Sequence, residues 1–448
     1  MGNKVWEPQV QTNQKKKHPK LIFCQGFNKH NECGGEDGYV TRERVATSVS
    51  AGFNHNLAIL ASGQLVSWGS NEFGQLGSQG NTWLESWIYE PPKVQTIYFP
   101  RQFGKISISQ ISAGAWHSAC ISNTGILFTW GLGTSGQLGY PANPDDFVRA
   151  PGTSHKFCPN PKSVDYFTNH PIYYVSCGST FTVVLSRGRE VFIFGDGSHG
   201  VFGNGKKGKK WEPQLIEALI GKEIRKIACG WNHVLALSMT GKVYYWGNQY
   251  ADMRENFPDT EIPELVPGLE DNFITDIACG DYHSAALSRR NPNALFTWGG
   301  NGYGQLGYVI EDEDPYINFI PKRVEIYHEI SSISCGGLFM VAKLRDGTVL
   351  GWGSNKHRQF GKNGQEFYQP LVLFDGSVNK ISRVMAGHSH IAVLCKKEII
   401  FGEFLAPGKE AFSPAETEAS IPTGREEHKE SQFLMYKEYE AIRYHKET

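Results

Sequence analysis

The chain has 448 residues, a length that suits either three ordinary domains or one large repeat domain. Lys and Arg number 44 against 45 Asp and Glu, so a net charge of −1 excludes a globally basic surface and leaves nucleic acid only a local patch. Glycine is the outlier at 50 residues, 11% against a usual level of about 7%.

Aromatics at 12% argue for a packed chain rather than a disordered one. Nine cysteines, an odd number over a long chain, make no disulfide framework. The sequence has no apolar run of transmembrane length and no signal-peptide pattern, so a soluble intracellular protein without membrane contact is expected. Gly2 could start a myristoylation signal, but Trp6 stands where Ser or Thr is wanted. Residues 1–19 read as a basic tail. Its Lys15-Lys16-Lys17-His18-Pro19-Lys20 run is similar to a short nuclear-localisation or chromatin-tethering signal.

From there the chain repeats. A lead motif of small residue, Gly, two variable residues and then His or Phe recurs seven times. Its glycines are Gly52, Gly114, Gly178, Gly230, Gly280, Gly336 and Gly387, and its closing residues His55, His117, Phe181, His233, His283, Phe339 and His390. From Gly52 to Gly387 is 335 residues over six intervals, a mean period near 56. A tail follows each lead motif as an apolar run ending in aromatic-Gly, at Trp68, Trp130, Phe194, Trp246, Trp298, Trp352 and Phe401. A tight turn such as Ser62-Gly63 or Asp346-Gly347 lies between lead motif and tail, which predicts a β-hairpin.

Several tails lead into a glycine turn: Gly74-Gln75-Leu76-Gly77, Gly136-Gln137-Leu138-Gly139 and Gly304-Gln305-Leu306-Gly307. Looser versions end at Gly203 and Gly361. A Pro-led apolar piece precedes the next lead motif, as at Pro321 and Pro370, where proline suits a strand start or an edge.

Units of this size cannot bury a face alone, but seven arranged radially can. The prediction is all-β: a seven-bladed β-propeller over 20–405. Residues 24–34 match 67–77 in length and glycine spacing, an extra tail before the first lead motif, while the tail at Phe401-Gly402 is truncated. The N-terminal strand should therefore close the last blade. Residues 406–448 form a charged extension. Within it Phe433, Tyr436 and Tyr439 fall at helical spacing and predict a short amphipathic helix.

The Gly-x-x-His lead motif, the Trp-Gly tail and the Gly-Gln-Leu-Gly turn resemble those of the regulator of chromosome condensation family of seven-bladed propellers. The likeness covers residues 20–405 in seven registered copies. It implies one of several functions, because the fold is reused. The founding type is a chromatin-bound guanine-nucleotide exchange factor for a Ran-type small GTPase; other members are adaptors, or ciliary and vesicle-traffic components. In the founding type, exchange is attributed to a wedge with an Arg-Asp-Asn-Asn-Gly run after the third tail and an acid just before the fourth lead motif's His. Here Trp130-Gly131 runs into Leu132-Gly133-Thr134-Ser135-Gly136, and Thr180-Phe181 stand in the matching lead motif. The residue before the closing His or Phe is Asn54, Trp116, Thr180, Asn232, Tyr282, Leu338 or Ser389, none of them acidic.

No nucleophile–base set, metal cluster or cofactor loop stands apart from the repeat. The lead histidines fill a slot that Phe181 and Phe339 also fill, so a structural role is expected, with each imidazole bonded to a backbone carbonyl. Cys177, Cys229, Cys279 and Cys335 share one slot with alanines and read as small buried residues. Gly200 to Lys207 has the glycines of a phosphate loop but lacks the hydroxyl after the lysine.

The chemistry left is docking. Lys206, Lys207, Lys209 and Lys210 form a basic run, and Glu311, Asp312, Glu313 and Asp314 an acidic one, both expected on inter-blade connections. Trp83 and Trp87 lie in the long insertion 78–108, beside Tyr89, Tyr98 and Phe99. The sequence thus predicts a non-enzymatic scaffold or adaptor that binds other proteins through loops and tails, without cofactor or metal. The alternative is a guanine-nucleotide exchange factor for a Ran-type GTPase. Cytoplasm is the expected location, with the nucleus suggested by the basic run and a ciliary or cytoskeletal assembly implied by the family alone.

Overall fold

Each lead motif reverses the chain and brings two apolar runs side by side, and a hairpin glycine such as Gly63, at φ +82°, permits the next reversal in most blades. In blade 1 this gives Ala46–Ala51, His55–Leu60, Leu65–Gly69 and Gln95–Thr96, paired in that order from the axis outward. The computed structural model describes residues 21–26, 33, 39–41, 46–77, 94–150, 153–248, 259–289, 293–310, 317–361 and 364–396. Over these residues the chain forms seven antiparallel sheets, six of four strands and one of five. No α-helix occurs among the described residues; three short 3-10 turns, Arg101–Phe103, Asp165–Phe167 and Glu217–Leu219, link blades. No helix there is long and apolar enough to cross a membrane.

The ring closes as the sequence predicts. Leu21–Gly26 pairs antiparallel with His390–Cys395, so the seventh blade takes its outer strands from the N-terminus. Gly26 lies opposite His390 as Gly69 lies opposite His55, so Gln25-Gly26 fills the seventh tail slot. Phe401-Gly402, assigned to that slot from the sequence, lies outside the described residues.

The Pro-led pieces become outermost strands. Pro213, Pro263, Pro321 and Pro370 all sit in them, where a missing N–H protects an exposed edge from pairing with another chain.

The core lies between blades. Second strands such as His55–Leu60 and His390–Cys395 are buried at every residue. The tail tryptophans Trp68, Trp130, Trp246 and Trp352 are all buried, and truncating one to alanine should cost about 3–5 kcal/mol. Their indoles also staple neighbours: Trp130 Nε1 donates to the Gln75 carbonyl of blade 1 at 2.9 Å, and Trp352 Nε1 to the Gln305 carbonyl of blade 5 at 3.0 Å. The last glycine of each turn lies on the ring it serves, since a Cβ on Gly77 or Gly307 would fall 2.8 Å from the next blade's indole nitrogen. Turn and tail are two halves of one seam.

Candidate functional site

Gly69 pairs with His55, so the lead motif and the connection after the tail lie at the same end of a blade. The same pairing recurs at His117–Gly131, Phe181–Gly195, His233–Gly247, His283–Gly299 and Phe339–Gly353. All the long connections therefore leave and re-enter their blades at this end, the loop face. Short hairpin turns and links to the next blade occupy the other.

At the axis of the loop face the seven lead motifs touch. Backbone hydrogen bonds run from Phe53 N to Gly114 O at 3.1 Å, Asp281 N to Gly337 O at 3.0 Å, and Gly337 N to His388 O at 3.0 Å. His388 N donates to Gly52 O at 2.9 Å and so carries the ring across the closing seam. Glycine is required beneath them: a Cβ on Gly52 would sit 2.5 Å from the Gly114 oxygen, and one on Gly280 2.5 Å from that of Gly336.

The residue after each glycine then surrounds an axial depression: Phe53, Ala115, Ser179, Trp231, Asp281, Gly337 and His388. Aromatics crowd one side of it. Phe53 stacks on His388 with centroids 4.0 Å apart and meets Trp231 at 5.9 Å and Trp116 at 6.0 Å. The indoles of Trp116 and Trp231 are edge to face at 5.8 Å. All are half-buried, with ring surface left to water. Asp281 Oδ2 lies 2.9 Å from His388 Nε2, and His388 Nδ1 lies 2.7 Å from Ser389 Oγ. His357 stands near; its imidazole is pushed down to about 4 by burial first, then by His388 and Lys356.

The lead histidines lie below this surface, fully buried, and bond across the seams. His55 Nε2 is 2.8 Å from Ser118 Oγ, whose own proton goes to the Gln75 carbonyl at 2.8 Å, so the imidazole must donate. His117 does the same to Thr182, which donates to Gln137 O. His233 meets Ser284 at 3.0 Å, and His390 donates to Asn56 Oδ1 at 2.8 Å. The partner is thus a side chain of the next blade, not the backbone carbonyl expected from the sequence. Burial pushes His55, His117, His233 and His390 down to about 3 and His283 to about 4.

The residue after each closing His or Phe could have revealed this. Where the preceding blade carries His it is Ser118, Thr182, Ser284 or Asn56; where that blade carries Phe181 or Phe339 it is Val234 or Ile391, packed in the same core cluster. The exception is His283, which faces Met340 instead of a polar side chain and is left with a poorly aligned contact to the Phe339 backbone, the kind of partner expected from the sequence.

Comparison with known proteins matches the RCC1-like domain profile to residues 145–409 and the regulator of chromosome condensation (RCC1) repeat profile to 46–75 and 108–137. The chain belongs to the RCC1-like domain family. It is 26% identical to the ultraviolet-B receptor UVR8 of Arabidopsis thaliana over 70% of this chain and 66% of that one. It is 31% identical to the human probable E3 ubiquitin-protein ligase HERC6 over 74% of this chain, which spans 31% of that protein. The mouse secretion-regulating guanine nucleotide exchange factor is 28% identical over 72% of this chain and 68% of its own. Among solved structures, Prp20p of Saccharomyces cerevisiae superposes with a TM-score of 0.69 at 20% identity, over 85% of this chain and 92% of that one. Human WBSCR16 gives 0.70 at 19%, over 85% and 100%.

Within this RCC1-like propeller the residues singled out from the sequence scatter. The basic run is not inter-blade: residues 197–208 join Val191–Asp196 to Lys209–Leu215 inside blade 3. Lys207 is tied to Asp259 at 2.5 Å and Glu261 at 3.3 Å of blade 4, and these bonds raise its pKa. Lys209 and Lys210 are strand residues opposite Asp196 and Gly195, and Lys206 is exposed. Glu311 to Asp314 lie outside the described residues, between two strands of blade 5 rather than between blades. Trp83, Trp87, Phe433, Tyr436, Tyr439 and the basic tail also lie outside them. From the first insertion Tyr98 is 63% exposed, whereas Phe99 packs edge-on against Phe128 at 4.9 Å.

The four lead-motif cysteines are free thiols at the seams; Cys229 Sγ, for instance, donates to Ser176 O at 3.4 Å. No group of three or more His, Cys, Asp or Glu with metal-holding geometry occurs among the described residues.

Proposed function

We propose that this propeller is a non-enzymatic scaffold or adaptor that docks a protein partner across its loop face. One observation carries the reading: the long connections and the partly buried ring cluster of Phe53, Trp116 and Trp231, backed by His388, share that face. Large rings that keep surface open to water at the centre of a loop-rich face are the usual anchors of protein interfaces. The loops also differ from blade to blade, as recognition of one asymmetric partner requires.

The second reading, guanine-nucleotide exchange, has support of its own. Similar proteins include a secretion-regulating guanine nucleotide exchange factor, and Prp20p was described with binding to Gsp1p and histones. Moreover, blade 2, whose third strand ends in Leu132, carries an extra strand pair, Val148–Arg149 with Lys156–Phe157, rising on the loop face where the family's wedge is expected. Against it, the wedge run and the acid before the closing His are missing. The experiment is release of labelled GDP from a Ran-type GTPase with the full chain added. The scaffold reading expects the intrinsic rate; acceleration of about tenfold or more would replace it with exchange.

A further inference from the structure

The seven positions after the lead glycines include one acid. Asp281 accepts from His388 Nε2 through Oδ2, and its Oδ1 makes no hydrogen bond among the described residues. It sits between Trp231 of blade 4 and Gly337 of blade 6 on the wall of the axial depression, and it is the only carboxylate among the described residues that line it. Trp231 and His388 flank the carboxylate, with Phe53 stacked behind His388, while Ala115 and Ser179 leave the opposite wall small. The depression is shallow and open at its mouth, with a space of about 100 Å³, room for one side-chain head rather than a whole ligand. A ring face attracts a cation through its quadrupole, and a partly buried carboxylate attracts one through its charge.

We propose that this depression receives a single cationic side chain, arginine in the first instance, presented by the protein partner that docks on the loop face. The proposal rests on the docking reading above and adds to it the chemistry of the central contact. The guanidinium enters beside Asp281, hydrogen-bonds Oδ1 and lies over the face of Trp231. A plane with several donors satisfies the carboxylate and stacks on the indole at once. The stem crosses the small wall at Ala115 and Ser179.

The test is fluorescence titration of the full chain with two labelled peptides, acetyl-Gly-Arg-Gly-amide and its citrulline counterpart, which keeps the shape and removes the charge. The arginine peptide should bind about tenfold more tightly, the size expected of one desolvated cation–π and carboxylate contact. Asp281→Asn, at a half-exposed site where the shape is kept, should abolish that preference without moving the melting temperature. Trp231→Phe should weaken arginine binding several-fold and leave the preference in place. Equal binding of the two peptides, or no binding of either, would overturn the proposal. So would a preference that survives Asp281→Asn. Displacement of the peptide by equimolar free guanidinium would overturn the assignment to a peptide side chain. None of these results touches the docking reading, which stands or falls on whether partner binding depends on the face as a whole.

Discussion

At one end of the axis, five of the residues four before the lead glycines tie their side chains to a neighbouring blade. Arg383 Nη1 donates to Ser48 Oγ at 2.9 Å across the closing seam, Gln110 exchanges two hydrogen bonds with the Val175 backbone, and Lys226 pairs with Asp276. At the other end, Phe53 and Trp231, which follow lead glycines, keep ring surface open to water, with the carboxylate of Asp281 on the wall beside them. Equivalent positions of one repeat thus serve two purposes. Where side chains bond across seams the ring is held shut; where the backbone closes the ring, side chains are released for recognition.

The largest break of that comparison is acid. A histidine whose folded pKa lies below its unfolded value of about 6.5 stabilises the fold fully above that pH and loses the contribution as pH falls toward the folded value. His55, His117, His233 and His390 at about 3, and His283 at about 4, all have this sign. Each should forfeit about 1.4 kcal/mol by pH 5.5, roughly 7 kcal/mol for the five. Urea midpoints at pH 7.5 and 5.5 measure it, and an unchanged midpoint would show that the imidazoles are not held neutral.

Glycine substitutions separate the ring from its loops. Gly280→Ala would place a Cβ 2.1 Å from His283 Cε1 and 2.5 Å from the Gly336 oxygen, and should cost about 3 kcal/mol. Gly205→Ala, at φ +71° with nothing within 4 Å, should cost about 1 kcal/mol, backbone strain alone. Thermal melts of the two variants check the ratio.

A subtler test makes one substitution in neighbouring seams. His233→Phe removes the imidazole's hydrogen bond to Ser284 and should destabilise by about 1–3 kcal/mol. His283→Phe gives up only a poorly aligned contact with the Phe339 backbone and sets phenylalanine against Met340, and should stabilise by about 1 kcal/mol. Equal signs would mean that the residue after the next closing His or Phe does not set the choice between the two.

The repeat, its tails and its closure are legible in the sequence because each depends on a short local pattern repeated seven times. Even the tail slot of the last blade is marked by the spacing of Gly26 and Gly34. The histidine partners escape such reading because His55 and Ser118 lie 63 residues apart, and the link shows only when one repeat is read against the next. The docking centre escapes it for the opposite reason. Phe53, Trp231, Asp281 and His388 fall on the variable positions of the lead motif, and variation between blades is what lets one ring present an asymmetric surface. The charged runs stand out through local composition, which cannot reveal that Lys207 already has Asp259 as its partner.

The most direct measurement compares the two ends. Full chain, Trp231→Ala and Arg383→Ala should be matched for melting temperature and used in parallel to capture partners from native lysate. The account predicts that Trp231→Ala loses the stable partner and Arg383→Ala keeps it. Loss with Arg383→Ala alone, or retention by both, would contradict the assignment of binding to the loop face.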